Sequence, residues 1–89
     1  MEKHFVYILY SVKYDIYYKG YTTQPDVRLT EHNNGFSRYT KDKGPWKMVY
    51  LELCENKTKA LIREKQIKKY NHNYIDFLIH QTTNIIRSN

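Results

Sequence analysis

Six consecutive residues, Phe5 to Tyr10, leave neither alternate face polar: Phe5, Tyr7 and Leu9 fall on one side of an extended chain, and Val6, Ile8 and Tyr10 on the other. A strand of that kind has to be covered on both faces. It is therefore expected at the centre of a small sheet with further structure on either side. A chain of 89 residues has room for one such arrangement, one domain and one site.

The rest of the chain supplies the covering layers. Ile16 to Thr22 is a second, tyrosine-rich strand, and the short Val12–Asp15 connection predicts a hairpin. Thr23-Gln24-Pro25-Asp26 opens a helix that Asn34-Gly35 closes. Phe36 to Gly44 reads as a mobile basic loop. A third strand follows, with Trp46, Met48 and Tyr50 on one face and Val49, Leu51 and Leu53 on the other. Asn56 caps a long helix to about Tyr70, and Asn71-His72-Asn73 breaks it before a last helix carrying Ile75, Leu78 and Ile79. The expected fold is α+β, a three-stranded antiparallel sheet flanked by helices in the order β-β-α-β-α-α. Residues 1–81 form the single domain and 82–89 a frayed tail.

Charge narrows the class of partner. The formal net charge is +6, and between Asn56 and Ile75 the one acid is Glu64, set among Lys57, Lys59, Arg63, Lys65, Lys68 and Lys69. Arg38, Lys41, Lys43 and Lys47 form a second basic cluster. Fields of this sign attract polyanions, although a solvated lysine-rich helix face has the same composition. The single cysteine, Cys54, excludes an internal disulfide framework or a Cys-rich zinc site and is compatible with a reducing cytoplasm. Apolar runs are too short for a signal or membrane segment. A soluble cytoplasmic protein with no membrane and no disulfide-linked partner is expected.

Five polar side chains stand out against this frame. Glu64 falls between Ala60 and Ile67 on one side of the helical wheel and Leu61 on the other, in the middle of the apolar stripe. A carboxylate seldom sits there unless it is paired or binds a metal, and one carboxylate completed by water and phosphate oxygens is a normal magnesium site. The other reading is a structural salt bridge, with Arg28 for example. Arg28 and His32, four apart, share one side of their helix and lean towards the sheet. Tyr7 and Tyr18 lie on the same sheet face in any register with an odd index sum. In the tightest of these they are direct cross-strand neighbours. Taken alone, a tyrosine among ten in a β-rich chain ordinarily reflects strand propensity and packing.

The surrounding segments carry a resemblance. Val6-Tyr7-Ile8, Tyr18-Lys19-Gly20, Arg28-Leu29-Thr30-Glu31-His32-Asn33 and Arg63-Glu64-Lys65-Gln66-Ile67-Lys68-Lys69 resemble the GIY-YIG nuclease family. So do Asn34-Gly35, Tyr39-Thr40, Pro45-Trp46, Val49-Tyr50, Glu52 and Ala60, from about Phe5 to Ile79. The likeness is to the small stand-alone bacterial members, related to the N-terminal domain of the excision-repair nuclease C subunit. Val6 and Lys19 depart from the family name, at places where small members commonly vary.

This resemblance implies an endonuclease that hydrolyses DNA phosphodiesters with one Mg2+ or Mn2+ ion per site, in DNA repair or processing. It implies that Glu64 holds the metal, Arg28 the phosphoryl oxygens, and Tyr7 the attacking water with His32 as relay. Tyr18 positions phosphate or shares water activation, so that either tyrosine could be the base. Because a phenol is a poor base at neutral pH, Tyr7 needs neighbouring positive charge or that relay. Lys19, Lys41, Lys43, Lys65, Lys68 and Lys69 are the expected DNA contacts. A non-catalytic nucleic-acid-binding module of the same fold is the competing expectation, which the presence of all five residues argues against, because simple binding has no need of a buried acid. A protein-interaction module is a third, which an apolar patch without a basic groove would favour.

Overall fold

A computed structural model describes residues 2–86. The elements are β1 (His4–Ser11), β2 (Ile16–Thr22), α1 (Pro25–Asn33), β3 (Trp46–Cys54), α2 (Lys57–Ile67) and α3 (His72–Ile79). This is the α+β order expected. The sheet order is β2-β1-β3, with β1 antiparallel to both neighbours. Its residues Val6, Tyr7, Ile8 and Leu9 are all buried because successive side chains enter two different cores. On one face Tyr7, Leu9 and Trp46 pack with Leu29 of α1. On the other, Val6, Ile8 and Tyr50 pack with Ala60 and Ile67 of α2 and Ile75 and Leu78 of α3.

The hairpin keeps the expected odd index sum and the Val12–Asp15 connection, without taking the tightest register, whereas the face pattern of β3 differs from the sequence expectation. Ser11 pairs with Ile16 and Tyr7 with Gly20, so Tyr7 and Tyr18 share a face as diagonal rather than direct neighbours. The turn uses four residues, ending at Asp15 with φ 53°, because no two-residue Asn-Gly-type signal is present to close it tighter. In β3 the pairing shifts between Ile8 opposite Tyr50 and Leu9 opposite Met48, leaving Val49 as an extra residue. Past this bulge the alternation inverts. Leu51 therefore joins Trp46 and Met48, while Tyr50 turns to the opposite core.

Side-chain caps set two helix starts: Asn56 Oδ1 accepts from Lys59 N at 2.8 Å, and Asn71 Oδ1 from Tyr74 N at 2.9 Å. α2 ends at Ile67, short of the expected Tyr70, as Lys69 N and Tyr70 N close tighter bonds to Gln66 O and Ile67 O. The chain after Thr82 does not fray within the described residues. Asn84 is buried: its Nδ2 donates to Val49 O and Ile79 O, and its Oδ1 accepts from Leu51 N. Ile85 N donates to Leu51 O at 2.8 Å. One asparagine side chain thus docks this segment on β3. The remainder of the expected tail, 87–89, lies outside the described residues. Among those residues no helix is long and apolar enough to cross a membrane.

Candidate active site

Tyr7 is the hub of a polar cluster between the sheet and α1. Its ring lies across Gly20 on β2. A Cβ at Gly20 would fall 2.5 Å from Tyr7 Cζ, 2.8 Å from Cε1 and closer still to the hydroxyl. This is the close approach that an isolated strand glycine marks. The Tyr7 hydroxyl is 2.9 Å from His32 Nε2 and accepts from Arg28 Nε at 3.4 Å. Helical spacing puts both partners on one side of α1. Tyr18 completes the wall, its ring centroid 4.8 Å from His32 and 6.4 Å from Tyr7.

The far nitrogen of His32, Nδ1, lies 2.8 Å from Thr40 Oγ1, and that hydroxyl donates to Ser37 O at 3.4 Å. With Thr40 donating outward, Nδ1 carries the imidazole proton and Nε2 accepts from Tyr7. Every bond from Arg28 to Tyr7 to His32, and from His32 through Thr40 to Ser37, then has one donor and one acceptor. Thr40 is itself fixed, since its carbonyl accepts from Trp46 Nε1 at 3.0 Å and Asn33 grips the Trp46 backbone. The loop expected to be mobile is thus pinned at its middle.

Burial governs the charges. Tyr7 is pushed up to about 12 by burial, with Tyr18 and Glu64 adding to the rise and the Arg28 hydrogen bond and charge opposing it. His32 is pushed down to about 4, first by burial and then by the Arg28 charge, against a smaller opposite pull from Glu31. Of the two aids expected for Tyr7 as a base, positive charge or a relay, the charge of Arg28 acts in the needed direction but burial outweighs it, and His32 Nε2 lies within hydrogen-bond distance as the candidate relay. At rest the Tyr7–His32 pair is neutral.

A stability test follows. The unfolded chain binds a proton on His32 near the ordinary 6.5, while the fold excludes it until about 4. The contribution is fully present above pH 6.5 and is lost as pH falls from there towards 4, by at most ~3 kcal/mol. Urea midpoints at pH 7 and pH 4.5 should differ more for the wild type than for His32→Gln. Equal differences would show that His32 does not carry this acid sensitivity.

Glu64 stands apart from this cluster. It lies on the Ala60–Ile67 side of α2, its side chain only 19% exposed, but Leu61 on its other side is exposed rather than part of a buried stripe. Its ion-pair partner is Lys68, at 3.5 Å, and not Arg28, which is tied to Glu31 at 3.1 Å. α2 covers the sheet face opposite Tyr7. Glu64 reaches the tyrosine through its field, as the smallest of the influences raising Tyr7. Four of the five residues are therefore joined by contact, and the fifth electrostatically.

The basic side chains divide. Lys19 and Lys68 line a cleft with Tyr17, Tyr18 and Tyr39. Lys41 borders a larger cleft of ≈800 Å³ that includes His32 and Thr40. Lys43 Nζ donates to Tyr39 O at 2.8 Å, Lys65 is exposed on α2, and Lys69 is exposed in the turn that follows it. Arg63 and Lys59 are paired with Glu52 and Glu55, so the basic face of α2 is smaller than its charge count implies. Sequence reasoning did not assign Gly20 or Thr40 to the site. The lone glycine inside a strand was a usable signal, whereas a loop threonine eight residues from its histidine gives none.

The family model for the GIY-YIG catalytic domain matches residues 3–74. A UPF0213 protein of Clostridium perfringens (strain 13 / Type A) is 44% identical over 70 residues, covering 78% of this chain and 74% of that protein. One from Staphylococcus haemolyticus (strain JCSC1435) is 41% identical over 71 residues, 79% of this chain and 85% of that protein. The solution NMR structure of the UPF0213 protein from Bacillus halodurans aligns with a TM-score of 0.57 at 30% identity, covering 91% of this chain and 86% of that one.

Proposed function

The chain belongs to the GIY-YIG catalytic-domain family, and from that premise we propose that it is a divalent-metal-dependent endonuclease hydrolysing DNA phosphodiester bonds through Tyr7, Tyr18, Arg28, His32 and Glu64. The observation that carries this reading is the Tyr7 hydroxyl held between His32 Nε2 and Arg28 Nε over a glycine that leaves it room. Packing alone has no use for a buried phenol oriented by a neutral imidazole on one side and a guanidinium on the other.

Each side chain has a physical part. Tyr7, donating to His32, keeps an oxygen lone pair with which to accept from an attacking water. As the water oxygen closes on phosphorus and the bond from phosphorus to the leaving sugar oxygen breaks, the water proton passes to the Tyr7 oxygen, the tyrosine proton moves to His32 Nε2, and the departing alkoxide takes a proton from solvent. The buried imidazolium so formed is disfavoured at rest. The anionic phosphate and the charge developing on it offset that cost. Arg28 presents a permanent charge to the phosphoryl oxygens, exchanging Glu31 for substrate across a half-exposed ion pair. Tyr18 positions the phosphate.

Nucleases of this family generally depend on a divalent metal. The donor chemistry fits at Glu64, whose carboxylate is largely shielded and, among the described residues, held by a lysine that is itself 56% exposed and free to turn away. Bound there, Mg2+ or Mn2+ would supply Lewis acidity at the phosphate oxygens.

A cleavage assay over labelled single-stranded, duplex and branched DNA, with Mg2+, Mn2+ or chelator, tests the reading. Metal-dependent strand scission supports it; tight binding without cleavage of any substrate in either metal leaves a binding module instead. The lysine–phosphate pairings are tested separately. Neutralising Lys41, Lys65 and Lys69 together should flatten the slope of log affinity against log salt by somewhat under one unit for each phosphate no longer neutralised, with little change in turnover at saturating DNA. An unaltered slope would reduce these lysines to a solvated face.

A further inference from the structure

Beside the catalytic cluster, at the edge of the sheet, lies a cleft of ≈320 Å³ lined by Tyr17, Tyr18, Lys19, Tyr39 and Lys68. β2 is an outer strand of the sheet, so adjacent residues Tyr17, Tyr18 and Lys19 border the cleft where the sheet ends. Tyr39 arrives from the loop on the α1 side and Lys68 from the end of α2 on the other. Tyr18 is the shared wall between this cleft and the Tyr7–His32 pair. We infer that this cleft is a subsite for one unpaired nucleobase next to the cleaved phosphodiester, with Tyr39 and Tyr18 as its stacking surface and Lys19 and Lys68 on the flanking phosphates. The inference rests on the nuclease reading and names the strand state of its substrate.

Three observations support it. The Tyr39 ring is offset-stacked on Tyr18, with centroids 5.7 Å apart and planes 29° apart, yet Tyr39 remains 52% exposed. It lines this cleft together with the site residue Tyr18 and with lysines from two further elements, Lys19 of β2 and Lys68 at the end of α2. Its ring already attracts a cation: Lys43 Nζ lies 4.8 Å from the centroid. This contact can yield to a base while the ammonium turns to a phosphate. Among the described residues no carboxylate lines the cleft, and its cations match a nucleic-acid backbone. In a duplex the base faces are covered by their neighbours, so an aromatic wall engages a base only when it is unpaired. Tyr39 makes no side-chain hydrogen bond among the described residues; stacking is the use its ring is left with.

The test is binding in excess chelator, independent of cleavage. Single strands carrying 2-aminopurine at successive positions, and the same sequences in duplex, are titrated against the wild type, Tyr39→Ala, Tyr39→Phe and Tyr39→Leu. The single strand should bind more tightly than the duplex and its fluorescence should be quenched at one position. Alanine and leucine should weaken single-strand binding about tenfold, the loss expected for one base–aromatic stack. Phenylalanine should keep it, and duplex affinity should not change. If the alanine variant fails to fold, the leucine–phenylalanine contrast decides, since both retain apolar bulk. Leucine binding as well as phenylalanine, equal losses for single strand and duplex, or quenching at no position would overturn the subsite. Stacking without metal-dependent cleavage would keep the subsite and remove the catalytic reading. Failure to bind either form at low salt would remove both.

Discussion

Replacing Glu64 by glutamine is expected to abolish metal-dependent cleavage, lowering turnover by at least about a thousandfold, while the protein remains folded. The substitution keeps the volume and removes only the charge. The ion pair it breaks is with Lys68, at 3.5 Å and more than half exposed, and surface pairs of that kind are worth under ~1 kcal/mol. The unfolding midpoint should therefore hardly move. The variant also separates two roles with opposite signs. Glu64 raises the Tyr7 pKa, so if it acted only through the tyrosine's proton, removing its charge would favour deprotonation and leave activity equal or higher. As a metal ligand, its loss is severe. Initial rates in Mg2+ alongside thermal unfolding check this, and undiminished cleavage by the variant, or full wild-type activity in chelator, would remove the metal role.

The parts of this molecule legible in the sequence are those set by local periodicity. The two-sided apolar run at Phe5–Tyr10 identified the central strand, the Asn56 cap located the start of α2, the Asn71-His72-Asn73 break separated α2 from α3, and a four-residue spacing put Arg28 and His32 on one side of α1. What could not be read depended on how elements meet. The extra residue at Val49 inverts the second half of β3, and nothing in the local pattern Met48-Val49-Tyr50 distinguishes a bulge from continued alternation. The parity of the hairpin register was readable but its value was not, because four turn residues and two turn residues give the same faces. For Glu64 the wheel recognised the Ala60–Ile67 side but assumed a core beside Leu61 that the sheet is too small to provide. The proton affinities of Tyr7 and His32 could not be read for a related reason. Both groups are 1% exposed, and that burial, a property of the assembled layers, outweighs the charge of Arg28.

A second large loss is expected at a residue that carries no functional group. Gly20→Ala should lower cleavage by at least about a hundredfold, since a misplacement of about 1 Å at the reacting groups costs that much. The added Cβ would overlap three atoms of the Tyr7 ring and hydroxyl, so the ring has to move. Moving it breaks the bonds to His32 Nε2 and Arg28 Nε, whose helix is packed on the sheet independently through Leu29. Overpacking of this kind costs ~1–3 kcal/mol of stability, and that is measured apart by thermal unfolding. Activity is then compared at a temperature where both proteins are folded. A cycle with Tyr7→Phe assigns the cause. If Gly20 serves catalysis by giving the Tyr7 hydroxyl its place, the alanine should reduce the residual activity of the Tyr7→Phe protein by far less than it reduces the wild type, because the group it displaces is already gone. Losses that simply multiply would instead mean that the glycine acts on the sheet edge as a whole, and the tyrosine would lose its position as the hub of the site.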